Sequence, residues 1–208
     1  MAAKFSIYAF LTLLLTGGDW ALTHGRGAED MKHSDNRGEF VLTDHTGRAV
    51  TDRDFRGSYL LIFFGYTHCP DICPTALTTI GNVMRQLGSR SQKVQPLFIT
   101  LDPERDSYQV LAEYVVYFHP RLIGLTGNAD QIEKVAKTYF VRSQKYVPDT
   151  KLDKTTKRAD GNYLLDHTAA SYLLGTTGTG LALFHHGTPP EEIVKTIQHF
   201  IEQDALGE

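Results

Sequence analysis

The sequence predicts an α/β domain, a partly parallel mixed sheet flanked by helices. Three observations carry that expectation. Tyr59 to Phe64 is continuously apolar and rich in aromatic and branched side chains, as a strand buried on both faces requires. Beyond a short polar stretch, Leu77, Ile80, Met84 and Leu87 recur at the spacing of one helix face. The same strand-then-helix pattern then returns twice along the chain, which implies parallel neighbours in the sheet.

The elements follow in order. Lys4 precedes an apolar run, Phe5 to Leu15, interrupted by Ser6 and Thr12 and followed by Thr16, Gly17 and Gly18 before Asp19. The run is shorter than the roughly 18 to 20 apolar residues that cross a bilayer comfortably. Residues 1–23 are expected to be a signal peptide or membrane anchor, and 24–38 a flexible polar linker. The domain, 39–208, is thereby placed outside the cytosol, in the periplasm or on an equivalent face.

Phe40–Thr43 and Arg48–Thr51 read as an N-terminal β-hairpin across Asp44, His45, Thr46 and Gly47. Gly88 can end the helix that follows the Tyr59–Phe64 strand. Leu97–Thr100 is the next strand, and Asp106 can cap a helix burying Val110, Leu111, Tyr114 and Phe118. After a short strand, Leu122–Leu125, Asn128 and Gln131 form a capping box for a helix that buries Ile132, Val135, Ala136 and Tyr139. A strand around Val141–Lys145 leads to a polar surface loop, Asp149–Gly161, of a length that is usually functional or disordered. Ala170–Leu174 and Leu181–Phe184 pair across Gly175–Gly180. Thr188, Pro189, Pro190 and Glu191 read as a capping box opening a last helix that buries Ile193, Ile197, Phe200 and Ile201.

With 208 residues, 41% of them hydrophobic, the chain can bury one sizeable core. A net charge of −3 with dispersed basic residues provides no footprint for nucleic acid and no polybasic membrane surface. Its two cysteines, Cys69 and Cys73, cannot form the disulfide scaffold of a small secreted domain, and their clustering points to chemistry.

Cys69 falls where a buried strand leaves the sheet and Cys73 in the first turn of the next helix, the place where open α/β sheets put their sites. Backbone N–H groups and the helix dipole favour thiolate there. Helical residues four apart have Cβ atoms about 5 to 6 Å apart, against roughly 3.5 to 4.5 Å in a relaxed disulfide. A bond between Cys69 and Cys73 is therefore expected to be strained and easily reduced, which makes them a candidate redox pair. A metal ion relieves the mismatch, since metal–sulfur bonds near about 2.3 Å hold two sulfurs about 4 Å apart. Two thiolates are too few for a structural zinc or iron–sulfur site and suit Cu(I), with a neutral imidazole as third donor.

Among nine histidines, His167 is the first choice for that donor. It follows a polar loop, immediately precedes the strand Ala170–Leu174, and has Asp166 beside it to orient the ring. His68 adjoins Cys69 in an extended segment and should point away. His45, His119, His185 and His186 read as turn, cap or surface residues, and His24 and His33 lie in the polar tail.

The stretch Gly65-Tyr66-Thr67-His68-Cys69-Pro70-Asp71-Ile72-Cys73-Pro74 resembles the signature of the SCO/SenC family of copper-binding, thioredoxin-like proteins. Leu42–Gly47, Phe98–Asp106, Phe118–Arg121, Ile123–Gly127, Asp166–Thr168 and Thr188–Glu192 match in family order as well. The resemblance implies a thioredoxin-like fold with an inserted hairpin. It also implies one copper ion, Cu(I) or Cu(II), held by Cys69, Cys73 and His167, with capping or supporting roles for Asp71 and Asp102.

The implied work is that of a metallochaperone assisting assembly of the binuclear copper centre of cytochrome c oxidase. Its partners would be the copper-centre subunit, to which it delivers copper or whose cysteines it reduces, and other copper chaperones or thiol reductants. The competing expectation is a thiol-disulfide reductase or thiol peroxidase that uses Cys69 and Cys73 without copper. A redox or copper sensor acting through a partner is a third. The turn Gly175–Gly180 departs from the acidic turn expected in the family, so no partner contact carries over to it.

Overall fold

The computed structural model describes residues 39–147 and 163–207. The expected export segment 1–23, the linker 24–38 and the polar loop Asp149–Gly161 lie outside the described residues. The chain order is β1 (Val41–Asp44), β2 (Ala49–Thr51), a 3₁₀ turn (Asp52–Phe55), β3 (Tyr59–Gly65), α1 (Ile72–Gln86) and a second 3₁₀ turn (Gly88–Lys93). It continues with β4 (Val94–Thr100), α2 (Tyr108–Val115), β5 (Ile123–Thr126), α3 (Ala129–Thr138), β6 (Ser143–Tyr146), β7 (Leu164–His167), β8 (Ala170–Leu174), β9 (Gly180–His185) and α4 (Pro190–Leu206).

Seven strands form one sheet in the order β2-β1-β5-β4-β3-β8-β9. β3, β4 and β5 run parallel, while the hairpins β1–β2 and β8–β9 join antiparallel, so the sheet is mixed as expected. β3 is buried at every position because it lies between β4 and β8, with Ile62 opposite Leu97 on one side and Tyr172 on the other. α1 buries Leu77, Ile80 and Met84. Gly81 allows the chain after α2 to pass close by, since a Cβ there would lie 2.6 Å from the Phe118 carbonyl oxygen. The Tyr59 hydroxyl donates to the Phe200 carbonyl at 2.9 Å and also contacts the Asp204 carboxylate, fastening α4 to β3.

Several elements differ from the sequence reading. Ser107, not Asp106, caps α2, its Oγ accepting from the Val110 N–H at 3.3 Å. The Asp106 side chain is instead turned into the protein. Val110 is 37% exposed, and Val115 joins Leu111 in the core. The Asn128–Gln131 capping box is present, with reciprocal bonds of 2.9 and 2.8 Å. α4 starts from Pro189 without a side-chain cap, and the Thr188 hydroxyl donates to the His185 carbonyl at 2.8 Å. Phe200 is only partly buried.

β6 begins later than expected because Val141 still belongs to the end of α3: its N–H donates to the Ala136 carbonyl at 2.8 Å, across Phe140 at φ 55°. β7 was not foreseen as a strand; it pairs with β6 in a separate two-stranded ribbon, hydrogen-bonded to neither edge of the main sheet. No helix among the described residues is long and apolar enough to cross a membrane.

Candidate metal centre

The site forms where β3 leaves the sheet. The Cys69 N–H donates to the Tyr66 carbonyl at 3.3 Å, so Tyr66 to Cys69 is a tight turn, and α1 begins at Ile72. Asp71 stands at the N-cap but its side chain makes no cap bond. The Cys73 N–H, free of an intrahelical partner in the first turn, donates instead to Cys69 Sγ at 3.4 Å. The Cys69 sulfur thus occupies the place of a capping oxygen, at the positive end of the helix.

Cys69 precedes the helix, so the helical Cβ spacing expected for the pair does not apply. Both cysteines are free thiols, Cys69 half-buried and Cys73 fully buried. Cys73 Sγ fills the space that a side chain at position 65 would take, for a Cβ on Gly65 would lie 2.7 Å from it.

His167, the last residue of β7, brings Nε2 to 3.5 Å from Cys73 Sγ. Its Nδ1 lies 3.1 Å from the Thr168 carbonyl oxygen, to which an Nδ1–H donates, so Nε2 is the nitrogen turned toward the sulfurs. The ring packs edge-on against Phe63 and Tyr66, with centroids 6.2 and 5.9 Å away. The expected orienting group, Asp166, is exposed, and the Thr168 carbonyl takes that role.

The ligand atoms of Cys69, Cys73 and His167 all lie within 4.8 Å of one another, the one such group of His, Cys, Asp or Glu among the described residues. His68 is outside it, with Nδ1 3.9 Å from Asp106 Oδ1. His45 Nδ1 accepts from the Gly124 N–H and His119 Nδ1 from the Arg121 N–H, each at 3.2 Å, while His185 and His186 are exposed. His24 and His33 lie outside the described residues.

The electrostatics separate the two thiols. A hydrogen bond from Cys73 holds the Cys69 thiol far below its ordinary range, assisted by His167 and the backbone N–H groups of Asp71 and Cys73, and opposed by burial. The same bond, with burial, pushes Cys73 up. In the metal-free protein the pair is therefore a thiolate and a thiol sharing one proton. Two soft sulfurs and an imidazole nitrogen are a fitting donor set for a soft ion such as Cu(I). A cavity of about 500 Å³, walled in part by Pro70, Ile72, Tyr146, Leu164 and Asp166, opens onto Cys69.

Sequence reasoning missed the residues behind the site. The Asp106 carboxylate accepts from the Thr67 N–H at 3.0 Å and from the hydroxyls of Thr67 and Thr100 at 2.6 Å each, pinning the cysteine turn to the end of β4. Asp102 supports as expected, but toward Arg105 and Tyr163. The available signal was the acidic and basic string Asp102–Asp106 directly after a buried strand, at the same sheet edge as the cysteines.

The SCO1/SenC family model matches residues 28–202. Bovine "Protein SCO2 homolog, mitochondrial" is 42% identical over 164 residues, which is 78% of this chain and 58% of that protein. Human "Protein SCO1 homolog, mitochondrial" is 41% identical over 162 residues, 77% of this chain and 51% of that protein. The chain thus spans little more than half the length of these relatives. Among solved structures, Bradyrhizobium japonicum ScoI with copper bound is 42% identical with a TM-score of 0.67, covering 77% of this chain and 96% of that one. Yeast Sco1 with copper bound is 32% identical with a TM-score of 0.67, covering 79% and 87%.

Proposed function

The chain belongs to the SCO1/SenC family, and from that premise we propose that it is a copper metallochaperone with thiol-disulfide redox capacity. One copper ion is held by Cys69 Sγ, Cys73 Sγ and His167 Nε2. The observation that carries this reading is the convergence of those three atoms within 4.8 Å on soft donors. Copper in the Bradyrhizobium and yeast relatives supports it.

The copper is cargo, so the site must also let it go. Cys69 and His167 line the cavity, so an incoming thiolate of the acceptor approaches from their side and not from that of Cys73, which is fully buried. The acceptor is the copper-centre subunit of cytochrome c oxidase, and other copper chaperones or thiol reductants restore the loaded or reduced state. In this reading 39–208 is the copper-binding domain, 24–38 a linker, and 1–23 the signal or anchor that places it on the periplasmic or an equivalent non-cytosolic face.

Anaerobic Cu(I) titration of the reduced protein is expected to give one tight equivalent, strongly weakened in Cys69→Ala, Cys73→Ala and His167→Ala. Unchanged affinity in all three variants would falsify the reading.

One observation favours a second reading, thiol-disulfide reduction or thiol peroxidase chemistry without copper. A half-buried Cys69 thiolate beside a buried Cys73 thiol is the arrangement of an attacking and a resolving cysteine. Turnover of a disulfide or peroxide substrate that survives in His167→Ala supports it. Mixing copper-loaded protein with an apo oxidase copper domain, and following metal and thiol content together, separates delivery from reduction.

A further inference from the structure

The imidazole reaches the sulfurs on an unusual support. β6 and β7 pair only with each other, and two-stranded ribbons of this length are marginal in water. All residues of β6 are exposed, while β7 packs Leu165 into the core and Leu164 partly against it, so apolar packing holds only one strand of the ribbon. At its base, Thr168 N–H donates to the Arg142 carbonyl at 3.0 Å and Arg142 N–H to Thr168 Oγ1 at 3.1 Å, bonds internal to the ribbon's own ends.

A second set of contacts joins the ribbon to the rest of the domain. Tyr163, just before β7, donates its hydroxyl to Asp102 Oδ1 at 2.5 Å. Arg105 donates Nε to Asp102 Oδ2 and Nη1 to the Tyr163 carbonyl at 3.0 Å. Its guanidinium lies 3.7 Å from the centre of the Tyr163 ring and 5.8 Å from that of Tyr66. The Arg105 side chain is 17% exposed and that of Asp102 fully buried, so solvent screens these contacts little. Lys145 of β6 adds an exposed pair with Glu104 Oε2 at 2.7 Å. Asp106, in the same loop, holds the cysteine turn through Thr67. One short segment between β4 and α2 therefore grips both halves of a site whose donors lie 94 residues apart.

We propose that Arg105 and Tyr163 are positioning residues for His167, latching the β6–β7 ribbon to the 102–106 loop and so setting the distance from imidazole to sulfur. The proposal rests on His167 being a metal donor, but the latch itself is testable without metal. Arg105→Lys keeps the charge and loses the fork and the ring stacking; Tyr163→Phe removes a single hydroxyl and serves if the arginine variant does not fold.

In the reduced, metal-free protein, amide hydrogen exchange is expected to quicken about tenfold in 143–146 and 164–167 for either variant, with β3 and β4 unchanged. In anaerobic Cu(I) competition titrations the same variants are expected to bind about 10-fold more weakly, within the usual effect of residues that support metal ligands. In a His167→Ala background the further loss is expected to vanish, because the latch acts through the imidazole. Unchanged exchange in the ribbon overturns the latch and leaves the base contacts, Leu165 and the packing of the His167 ring to hold it. An equal affinity loss with and without His167 overturns the positioning role, since a general loss of stability acts in both backgrounds. A parent protein that binds no Cu(I) defeats the proposed function, while the exchange comparison still decides the latch.

Discussion

Replacing Gly65 with alanine moves a sulfur without removing a donor. The added Cβ lies 2.7 Å from Cys73 Sγ, 3.0 Å from a Phe63 ring carbon and 3.1 Å from one of Phe98. Optimal carbon contacts are about 3.5 to 4.0 Å. Gly65 is held by its pairing with Thr100 of β4, and all three neighbours are buried; the sulfur makes the shortest contact on the smallest side chain, so it is the group that yields. It has to retreat by about 1 Å to reach ordinary contact, whereas metal–ligand distances hold to within about 0.2 Å. Cys73 then leaves the ligand set.

The overpacking itself costs about 1–3 kcal/mol, a fall of about 2 to 12 °C in Tm at about 2–4 °C per kcal/mol. A domain stable by about 5–15 kcal/mol remains folded under that load. Thermal unfolding and anaerobic Cu(I) competition are measured on the same preparation, with at least about tenfold weaker binding expected. A folded Gly65→Ala protein with the parent's affinity refutes the reasoning, because Cys73 Sγ would then not be a donor from the position described.

Three other outcomes are expected. Gly81→Ala, whose Cβ meets the Phe118 carbonyl oxygen at 2.6 Å, should destabilise by about 1–3 kcal/mol and leave Cu(I) affinity intact; an affinity loss would mean that strain in α1 reaches the cysteines. Ser107→Ala should cost about 1 kcal/mol as a lost helix cap, and an unchanged Tm would return the capping role to Asp106. In the reduced, metal-free protein Cys69 remains thiolate well below the ordinary thiol value of about 8.5, since its shift is downward and that of Cys73 upward. Iodoacetamide should accordingly modify Cys69 alone, at a rate constant flat from about pH 8 to pH 5. A tenfold fall per pH unit across that range would contradict the shared proton.

The readable parts of the fold are those where local pattern and tertiary environment agree. β3, buried on both faces, shows as an unbroken apolar run, and the capping box of α3 is written in Asn128 and Gln131. Half of the ribbon left a trace, since β6 was expected around Val141–Lys145, but β7, which buries Leu165 alone of its four residues, has no alternation to detect. Asp106 and Ser107 are neighbouring residues of cap type, and only the distant hydroxyls of Thr67 and Thr100 decide which one turns inward. The donors themselves were legible through the spacing of Cys69 and Cys73 and the family likeness around Asp166–Thr168. What orients His167 was not, because a carbonyl belongs to every residue and the choice of Thr168 depends on how the chain turns between β7 and β8.

The placement of β8 beside β3 also orders events in time. β3 and β4 are joined by α1 and can pair early, but the other edge of β3 waits for a strand that starts at Ala170. His167 arrives with that strand. Contacts of such long sequence separation are slow to form, so both thiols can stand at the end of a half-built sheet before the His167 imidazole reaches them. An ion captured at that stage would meet two sulfurs without the His167 nitrogen. The full set of two sulfurs and one imidazole nitrogen exists only once β8 has closed on β3.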